Sequence, residues 1–292
     1  MIADGLLADI AGVIGTIDES SLEPVHGGSI NQAFSLRTDT GARYFLKTNR
    51  ADASDMFAAE FAGLAELASA RCIRVPQPIA YGTADGRSWL LLECLLLGPR
   101  TEQAEARLGT LLARQHRHCA RRFGWSRNNT IGSTLQRNDR SDDWVGFFAH
   151  RRLGFQLRLA ADNGWGATLA VGEAELRHAV ARFFVDYQPE ASLLHGDLWG
   201  GNWGATDDGE PVIFDPAVYF GDRETDLAMT RLFGGFGSSF YTAYNDEWPL
   251  DSGFQRRCDL YNLYHVLNHL NLFGQGYLAQ AEALLSRLLN ET

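Results

Sequence analysis

The period of the apolar residues changes once along this chain, near residues 96–100, and that change limits the fold more than any other feature. Before it, HGGSINQAFSLRTDTGARYFLKTNR alternates apolar and polar residues on both sides of Asp39-Thr40-Gly41, as a hairpin with a tight turn requires. VPQPIAYGTADGRSWLLLEC adds a Pro-bounded strand, an Asp-Gly turn and an apolar strand ending near Glu93. Two helices interrupt the strands. Leu6, Leu7, Ile10 and Ile14 recur at helical spacing. SDMFAAEFAGLAELASA opens with a Ser/Asp cap and lines up Phe57, Phe61, Leu64 and Leu67.

After Gly98-Pro99 the patterns become long and helical: AEARLGTLLARQHRHCA, DWVGFFAHRRLGFQLRLAA, GEAELRHAVARFFVDY and CDLYNLYHVLNHLNLF. Two stretches, LLHGDLWGGNWG and EPVIFDPAVYFGDRETDLAM, break the helices as loops with a short strand. The expected architecture is α+β and bilobal: residues 1–95 a small antiparallel-sheet lobe with one key helix, residues 96–292 a larger, mainly helical lobe.

Charge and cysteine usage remove several function classes. A net charge of -10 would repel a phosphate backbone, so nucleic acid is not an expected partner. The basic run RQHRHCARR (114–122) has the period of a solvated helix face. Cys72, Cys94, Cys119 and Cys258 form no C-x-x-C pair, which excludes a zinc ribbon or disulfide framework and fits reduced thiols in a cytoplasm. The N-terminus carries acids rather than a basic signal region, and WLLLECLLLG is short and broken by Glu93, so no membrane span is expected. No feature fixes an oligomeric state.

The chemistry concentrates in LLHGDLWGGNWG and the strand and loop C-terminal to it. Asp197 and Asn202 lie five positions apart, and the apolar Val212-Ile213-Phe214 delivers Asp215 to the same place. Two acids and an amide suit phosphoryl transfer: one carboxylate accepts the proton of an attacking hydroxyl, and the amide oxygen and second carboxylate hold Mg²⁺ against nucleotide phosphates. The Asp-to-Asn spacing is that of the protein-kinase catalytic loop. His195 either supports the loop from the core or faces the acceptor, and Trp199 and Trp203 either pack or line a sugar-binding face. A His-Gly-Asp metal pair in a hydrolase lacks a third nitrogen ligand nearby, and neither H-E-x-x-H nor G-x-S-x-G occurs.

A kinase needs a phosphate-binding lysine held by a carboxylate. Lys47, ending ARYFLK, and Glu60 on the next helix fit those parts, with Glu66 the alternative partner. Gly27, Gly28, Ser29 and Asn31 precede the first strand and could offer backbone N–H groups to the phosphates. Glu93, Cys94 and Leu95 stand where the lobes connect and adenine would meet backbone.

These residues resemble the fructosamine/ketosamine kinases, a branch of the kinase-like aminoglycoside and choline phosphotransferases. HGDLWGGN (195–202) is similar to the family's H-G-D-L-W-x-G-N loop, and DPAVYFGDRETDLAM (215–229) to its D-P-A-x-Y-x-G-x-R-E-x-D-L-A-M block. LFGGF (232–236), FGW (123–125), the Trp144–Phe148 segment and GGSIN (27–31) agree as well. The resemblance implies an ATP- and Mg²⁺-dependent kinase that phosphorylates the third-carbon hydroxyl of a ketosamine, free or on a protein amine, making the adduct unstable in deglycation. It implies Asp197 as base, Asn202 and Asp215 as metal ligands, Lys47 on the α/β-phosphates with Glu60 as partner, and Asp226 as a brace of the catalytic loop. Asp222, Glu224, His265 and His269 are candidates for the acceptor pocket wall, with His195 and Trp199. Ser29 stands where some relatives carry Cys, so no thiol switch is expected.

Overall fold

The computed structural model describes residues 4–26 and 30–290. Its first part builds one sheet. Helix α1 (Asp4–Ile14) leads into β1 (Ile17–Val25), β2 (Gln32–Thr38) and β3 (Arg43–Arg50); α2 (Ser54–Ser69) follows, then β4 (Pro78–Ala84) and β5 (Arg87–Glu93). The strands are antiparallel in the order β1-β2-β3-β5-β4.

Period-two alternation gives the sheet two different faces. On one, Leu36, Leu46, Trp89 and Leu91 bury against Leu6 and Ile10 of α1; each fully buried apolar side chain of this size contributes about 1.5–3 kcal/mol. On the other, Leu90 and Leu92 join Phe57, Leu64 and Leu67 of α2 and run without a break into the core of the rest of the chain. Lys47 pairs with Ala33 and Leu90 and therefore stands on this second face.

Two details differ from expectation. Strand β1 was not legible in IDESSLEPV, and its ladder with β2 shifts register between Asp18 and Glu23. The Ser/Asp cap of α2 is absent: a short turn at Ala51–Ala53 feeds the helix, Ala53 is the cap position, and no side chain caps it.

Beyond Glu93 the chain passes through β6 (Leu97–Gly98), which pairs with β11 (Trp203–Thr206) of the catalytic region. Helix α3 (Glu102–His116) comes next, capped by Thr101, whose side chain accepts from the Ala104 N–H. It ends inside RQHRHCARR, so this run is not one solvated face: Gln115 and His116 are buried, and Cys119–Ala120 form a two-residue strand, β7.

The hairpin β8 (Asn129–Ile131) and β9 (Thr134–Gln136) then precedes a long helix made of α4 (Trp144–Phe147), a wide turn at Phe148–Leu153 and α5 (Gly154–Ala160). Helix α6 (Glu173–Ala181), β10 (Ala191–Leu194), β11, β12 (Pro211–Ile213) and β13 (Tyr219–Gly221) carry the chain through the motif region. Helices α7 (Glu224–Leu232), α8 (Ser238–Glu247), α9 (Phe254–Phe273) and α10 (Leu278–Asn290) complete it. The fold is the bilobal protein-kinase-like one. Among the described residues no helix is long and apolar enough to cross a membrane.

The wide turn has a local consequence. It directs Arg152 into the core, where its guanidinium lies 4.0 Å over the Tyr219 ring and donates to Arg137 O at 2.6 Å and Asn138 Oδ1 at 2.7 Å. Gln136 Nε2 donates to Ala217 O at 2.9 Å and Asn129 Nδ2 to Val218 O at 2.8 Å. Buried polar groups thus hold the segment after Asp215 rigidly, since each would be costly to leave unpaired.

Candidate active site

The loop between β10 and β11 is organised from below by Asp226, near the start of α7. Its Oδ2 accepts from the His195 N–H at 2.7 Å and its Oδ1 from the Gly196 N–H at 2.8 Å. His116 Nε2 donates to Oδ2 at 3.1 Å, and the Tyr244 hydroxyl closes the chain on His116 Nδ1 at 2.9 Å. Burial opposes ionisation of Asp226, but the His116 bond, the nearby imidazoles and the backbone donor outweigh it and keep the carboxyl below its ordinary range. Gly196 has φ +83°, and an added Cβ would strike the Ala217 carbonyl, so only glycine fits there.

His195 supports this loop from inside the core. It is fully buried; Nε2 donates to Phe214 O at 2.9 Å, and Nδ1 accepts the Asp197 N–H at 3.3 Å. Burial pushes its pKa down, which suits the neutral ring these two bonds require.

Asp197 and Asn202 face each other across the turn. Asn202 Nδ2 donates to Asp197 O at 2.8 Å and, more weakly, to Asp197 Oδ2 at 3.4 Å. The Asn202 carbonyl accepts from the Phe214 N–H at 3.1 Å, tying the loop to the strand that delivers Asp215. Loss of water, and then the charges of Asp215 and Asp226, push the Asp197 carboxyl up to about 7, with the Asn202 amide opposing. A carboxyl balanced near neutral pH is suited to taking a proton from a hydroxyl.

Asp215 adopts a left-handed backbone, φ +58°, a conformation uncommon for residues with a side chain but one that Asp adopts more readily than most. The turn aims its carboxylate across the cleft, where Oδ1 meets Lys47 Nζ at 2.5 Å; Glu60 Oε1 meets the same nitrogen at 2.5 Å. Burial would lower the Lys47 pKa, but the two carboxylates more than offset it and raise it, so the ammonium stays charged. Glu66, the other candidate partner, accepts from Trp125 Nε1 at 3.0 Å instead.

Among the described residues no protein donor meets Asn202 Oδ1 or Asp215 Oδ2. Two free oxygen ligands at one end of the Lys47 cluster fit a hard cation such as Mg²⁺.

The nucleotide-side expectations divide. Gly27, Gly28 and Ser29 lie outside the described residues. Asn31 accepts with its side-chain oxygen from Asn49 Nδ2 at 2.7 Å, which ties the residue to β3. The Glu93 carboxylate is paired with Arg74 at 2.7 Å and accepts from the Gln77 N–H at 3.2 Å, and its own N–H donates to Gln77 O at 2.8 Å, so neither its side chain nor its N–H is free for a base. Cys94 and Leu95 belong to no strand, and Cys94 helps line a cavity of about 280 Å³ with Ser21, Glu23, Ser35, Arg43 and Leu96. This cavity opens on the Lys47 face of the sheet, at its Glu93 end.

Three of the residues expected on the acceptor side, Asp222, Glu224 and His265, are buried. Asp222 and Glu224 are fully buried and line no open pocket. Asp222 accepts from Tyr187 at 3.0 Å, Tyr261 at 2.5 Å and the Glu224 N–H at 3.0 Å, while Arg257 grips Glu224 at 2.6 and 2.9 Å. Their acidic side chains anchor α7 to α9. His265 is also buried, its pKa lowered by burial to about 3, so it is neutral and walled off from an acceptor.

Trp199 is 39% exposed, with its ring over Gly201. The Gly200 and Gly235 backbones run so close that a Cβ on either would strike the other, and Phe233, two residues before Gly235, is 40% exposed. Phe233 packs on His269 at 4.8 Å between ring centres, and His269 on Phe273 at 5.5 Å. Phe233, His269 and Phe273 thus form one aromatic cluster with exposed rings at Phe233 and Phe273, and Trp199 is exposed on the catalytic loop itself. LFGGF had marked the position of Phe233 without indicating its exposure.

Comparison with known proteins agrees with this geometry. The fructosamine kinase family model matches residues 8–291. A probable ketoamine kinase of Synechocystis is 46% identical over 269 residues, 91% of this chain and 89% of that protein. A chloroplastic protein-ribulosamine 3-kinase of Arabidopsis thaliana is 42% identical, covering 91% of this chain and 81% of the relative. A crystal structure from Haemophilus somnus, assigned by inference as a fructosamine-3-kinase, superposes with TM-score 0.88 at 29% identity, over 98% of this chain and 97% of that one. With the Lys47–Glu60–Asp215 cluster facing the Asp197 loop and a family match across nearly the whole length, the chain belongs to the fructosamine kinase family and is an ATP-dependent phosphotransferase.

Proposed function

We propose that this enzyme transfers the γ-phosphoryl group of ATP to the 3-hydroxyl of a ketosamine such as ribulosamine or fructosamine, free or attached to a protein amine, as a step in deglycation. The observation that carries the reading is the meeting of Lys47, Glu60 and Asp215 opposite the Asp197–Asn202 turn. Residues 1–95 act as the nucleotide lobe and residues 96–292 as the catalytic and acceptor lobe. Adenine lies against the backbone of Glu93 to Leu95, and Lys47, oriented by Glu60, contacts the α- and β-phosphates. Asn202 and Asp215 would hold Mg²⁺, which would supply positive charge against the nucleotide phosphates.

Asp197 orients the acceptor hydroxyl and takes its proton as the oxygen bonds to the γ-phosphorus and the bond to ADP breaks. Its raised pKa supports that role, because a base near neutral pH has useful driving force for the proton. The sugar sits over Asp197, and its amine leaves past Trp199 and Phe233, whose ring faces attract a protonated secondary amine.

The test is ADP release with ribulosamine, fructosamine, an aminoglycoside and choline offered separately. Turnover with the two ketosamines alone is expected. Turnover only with the aminoglycoside or choline, or nucleotide binding with no transfer to any of the four, contradicts the proposal.

A further inference from the structure

One cation touches the catalytic loop from outside, and no motif announces it. Arg100 stands two residues beyond β6, in the segment that links the sheet to the helical lobe. Its Nη1 donates to Gly200 O at 2.6 Å, its Nη2 donates to Trp203 O at 2.5 Å, and its guanidinium lies 4.6 Å over the Trp203 ring. No carboxylate forms an ion pair with it among the described residues; Glu105, one turn along α3, is committed to the Gly237 N–H at 3.0 Å and Ser239 Oγ at 3.1 Å.

The two carbonyls that Arg100 grips flank Gly201 and Asn202. Between them the Asn202 side chain reaches back to Asp197 O, and its own carbonyl accepts from Phe214. The turn is therefore fixed from inside by Asn202 and from outside by Arg100. Without the guanidinium, two glycines, Gly200 and Gly201, would leave the chain entering Asn202 free to change direction.

The same segment carries the adenine-side backbone of Glu93 to Leu95, and β6 pairs with β11 at Thr206 and Ala205, just past the turn. The linker thus holds the catalytic loop at two places.

We infer that Arg100 is a positioning residue: it sets the Gly200–Trp203 turn so that Asn202 Oδ1 faces the metal. This rests on the reading of Asn202 as a metal ligand. Arginine is needed because its planar fork donates to two acceptors at once, which a lysine cannot do with the same geometry.

The test measures binding rather than turnover. Affinity for ATP is titrated with and without Mn²⁺ for the full chain and for Arg100→Ala, Arg100→Met and Arg100→Lys, with bound Mn²⁺ followed by water-proton relaxation. Arg100→Met keeps an apolar stem over Trp203 and removes the donors. Arg100→Lys guards against a variant that fails to fold.

The expected result is about a tenfold loss of Mn²⁺–ATP affinity in the Ala and Met variants, the scale of losing charged hydrogen bonds. Lys should fall between them and the parent, and metal-free ATP affinity should stay within about twofold, since the donors act through the metal ligand. Mn²⁺–ATP affinity unchanged in the Met and Lys variants overturns the inference. If the parent itself binds ATP no better with Mn²⁺ than without, the metal reading of Asn202 fails and the inference falls with it. That outcome is visible in the parent before any variant is compared.

Discussion

Lys47 Nζ and Asp215 Oδ1 lie 2.5 Å apart although 168 positions separate them in sequence. The contact joins the central strand of the sheet to the left-handed residue after β12, and Glu60 completes it from α2. Three separate elements therefore place their charges at one point. An ammonium beside two carboxylates stays ionised despite burial, which is the state a phosphate-binding lysine needs.

Lys47→Met should destabilise the protein by about 3–5 kcal/mol, the range for breaking a buried pair and stranding its partner. Glu60 is the stranded group, with its side chain 11% exposed. Lys47→Met/Glu60→Gln should regain part of that loss without regaining turnover. Urea unfolding of the single and double variants checks this; equal stability of parent and Lys47→Met would show that the pair does not bind Glu60 as described.

Asp197 gives a prediction in which stability and activity move in opposite directions. Its folded pKa, about 7, is raised above the ordinary carboxylate value of 3.8. The ionised form is therefore the disfavoured one: the penalty is absent below the unfolded pKa, grows between about 4 and 7, and is full above the folded pKa. Asp197→Asn removes a charge that burial and two neighbouring carboxylates oppose. It should lower turnover by about a hundredfold or more, as expected for a positioned base, yet raise the thermal midpoint, by more at pH 8 than at pH 5. An equal or lower midpoint at pH 8 would contradict the assigned environment.

Asp226 has the opposite sign. Its folded pKa is depressed, so its contribution to stability is present above the ordinary carboxylate range and is lost as the pH falls through the folded pKa. Asp226→Ala removes the acceptor of His195 N–H, Gly196 N–H and His116 at once. Leaving these buried donors unpaired should cost about 3–5 kcal/mol, and turnover should fall with the lost loop geometry. Denaturant midpoints measured from pH 7 down to pH 3 should keep a steady gap between parent and variant above about pH 4 and narrow it only as the pH falls below the ordinary carboxylate value of 3.8. A constant difference across that range would rule out this role for Asp226.

The parts of this site visible in sequence are those whose spacing is set by chemistry. In the proposed reaction Asp197, Asn202 and Asp215 converge on one phosphate and Lys47 stands on one face of a strand, so their intervals carry information. The residues that hold them carry less. His116 sits in the basic run RQHRHCARR and looks solvated, but α3 ends there and turns it inward to Asp226. Arg100 lies in Gly-Pro-Arg, with no period to show that its target is the Gly200 carbonyl.

Asp222 and Glu224 show the reverse error. Acids next to a catalytic motif suggest a pocket, but their partners Tyr187, Tyr261 and Arg257 come from distant helices and turns, and no local pattern announces them. Strand β1 was hidden for a different reason: IDESSLEPV is rich in Asp, Glu, Ser and Pro, which are poor strand formers, and it is tolerated because it lies at the sheet edge. The strands on either side of Asp39-Thr40-Gly41 alternated cleanly and were legible, because one of their faces is buried by α1.

The position of the new phosphate decides whether the assigned reaction is right. After incubation with ATP, Mg²⁺ and ribulosamine or fructosamine, two-dimensional phosphorus–proton correlation of the product identifies the carbon that carries it. A single ester on the third-carbon hydroxyl of both ketosamines, absent with Asp197→Asn, is the predicted result. Phosphate on another carbon, or formed only when an aminoglycoside replaces the ketosamine, would contradict it.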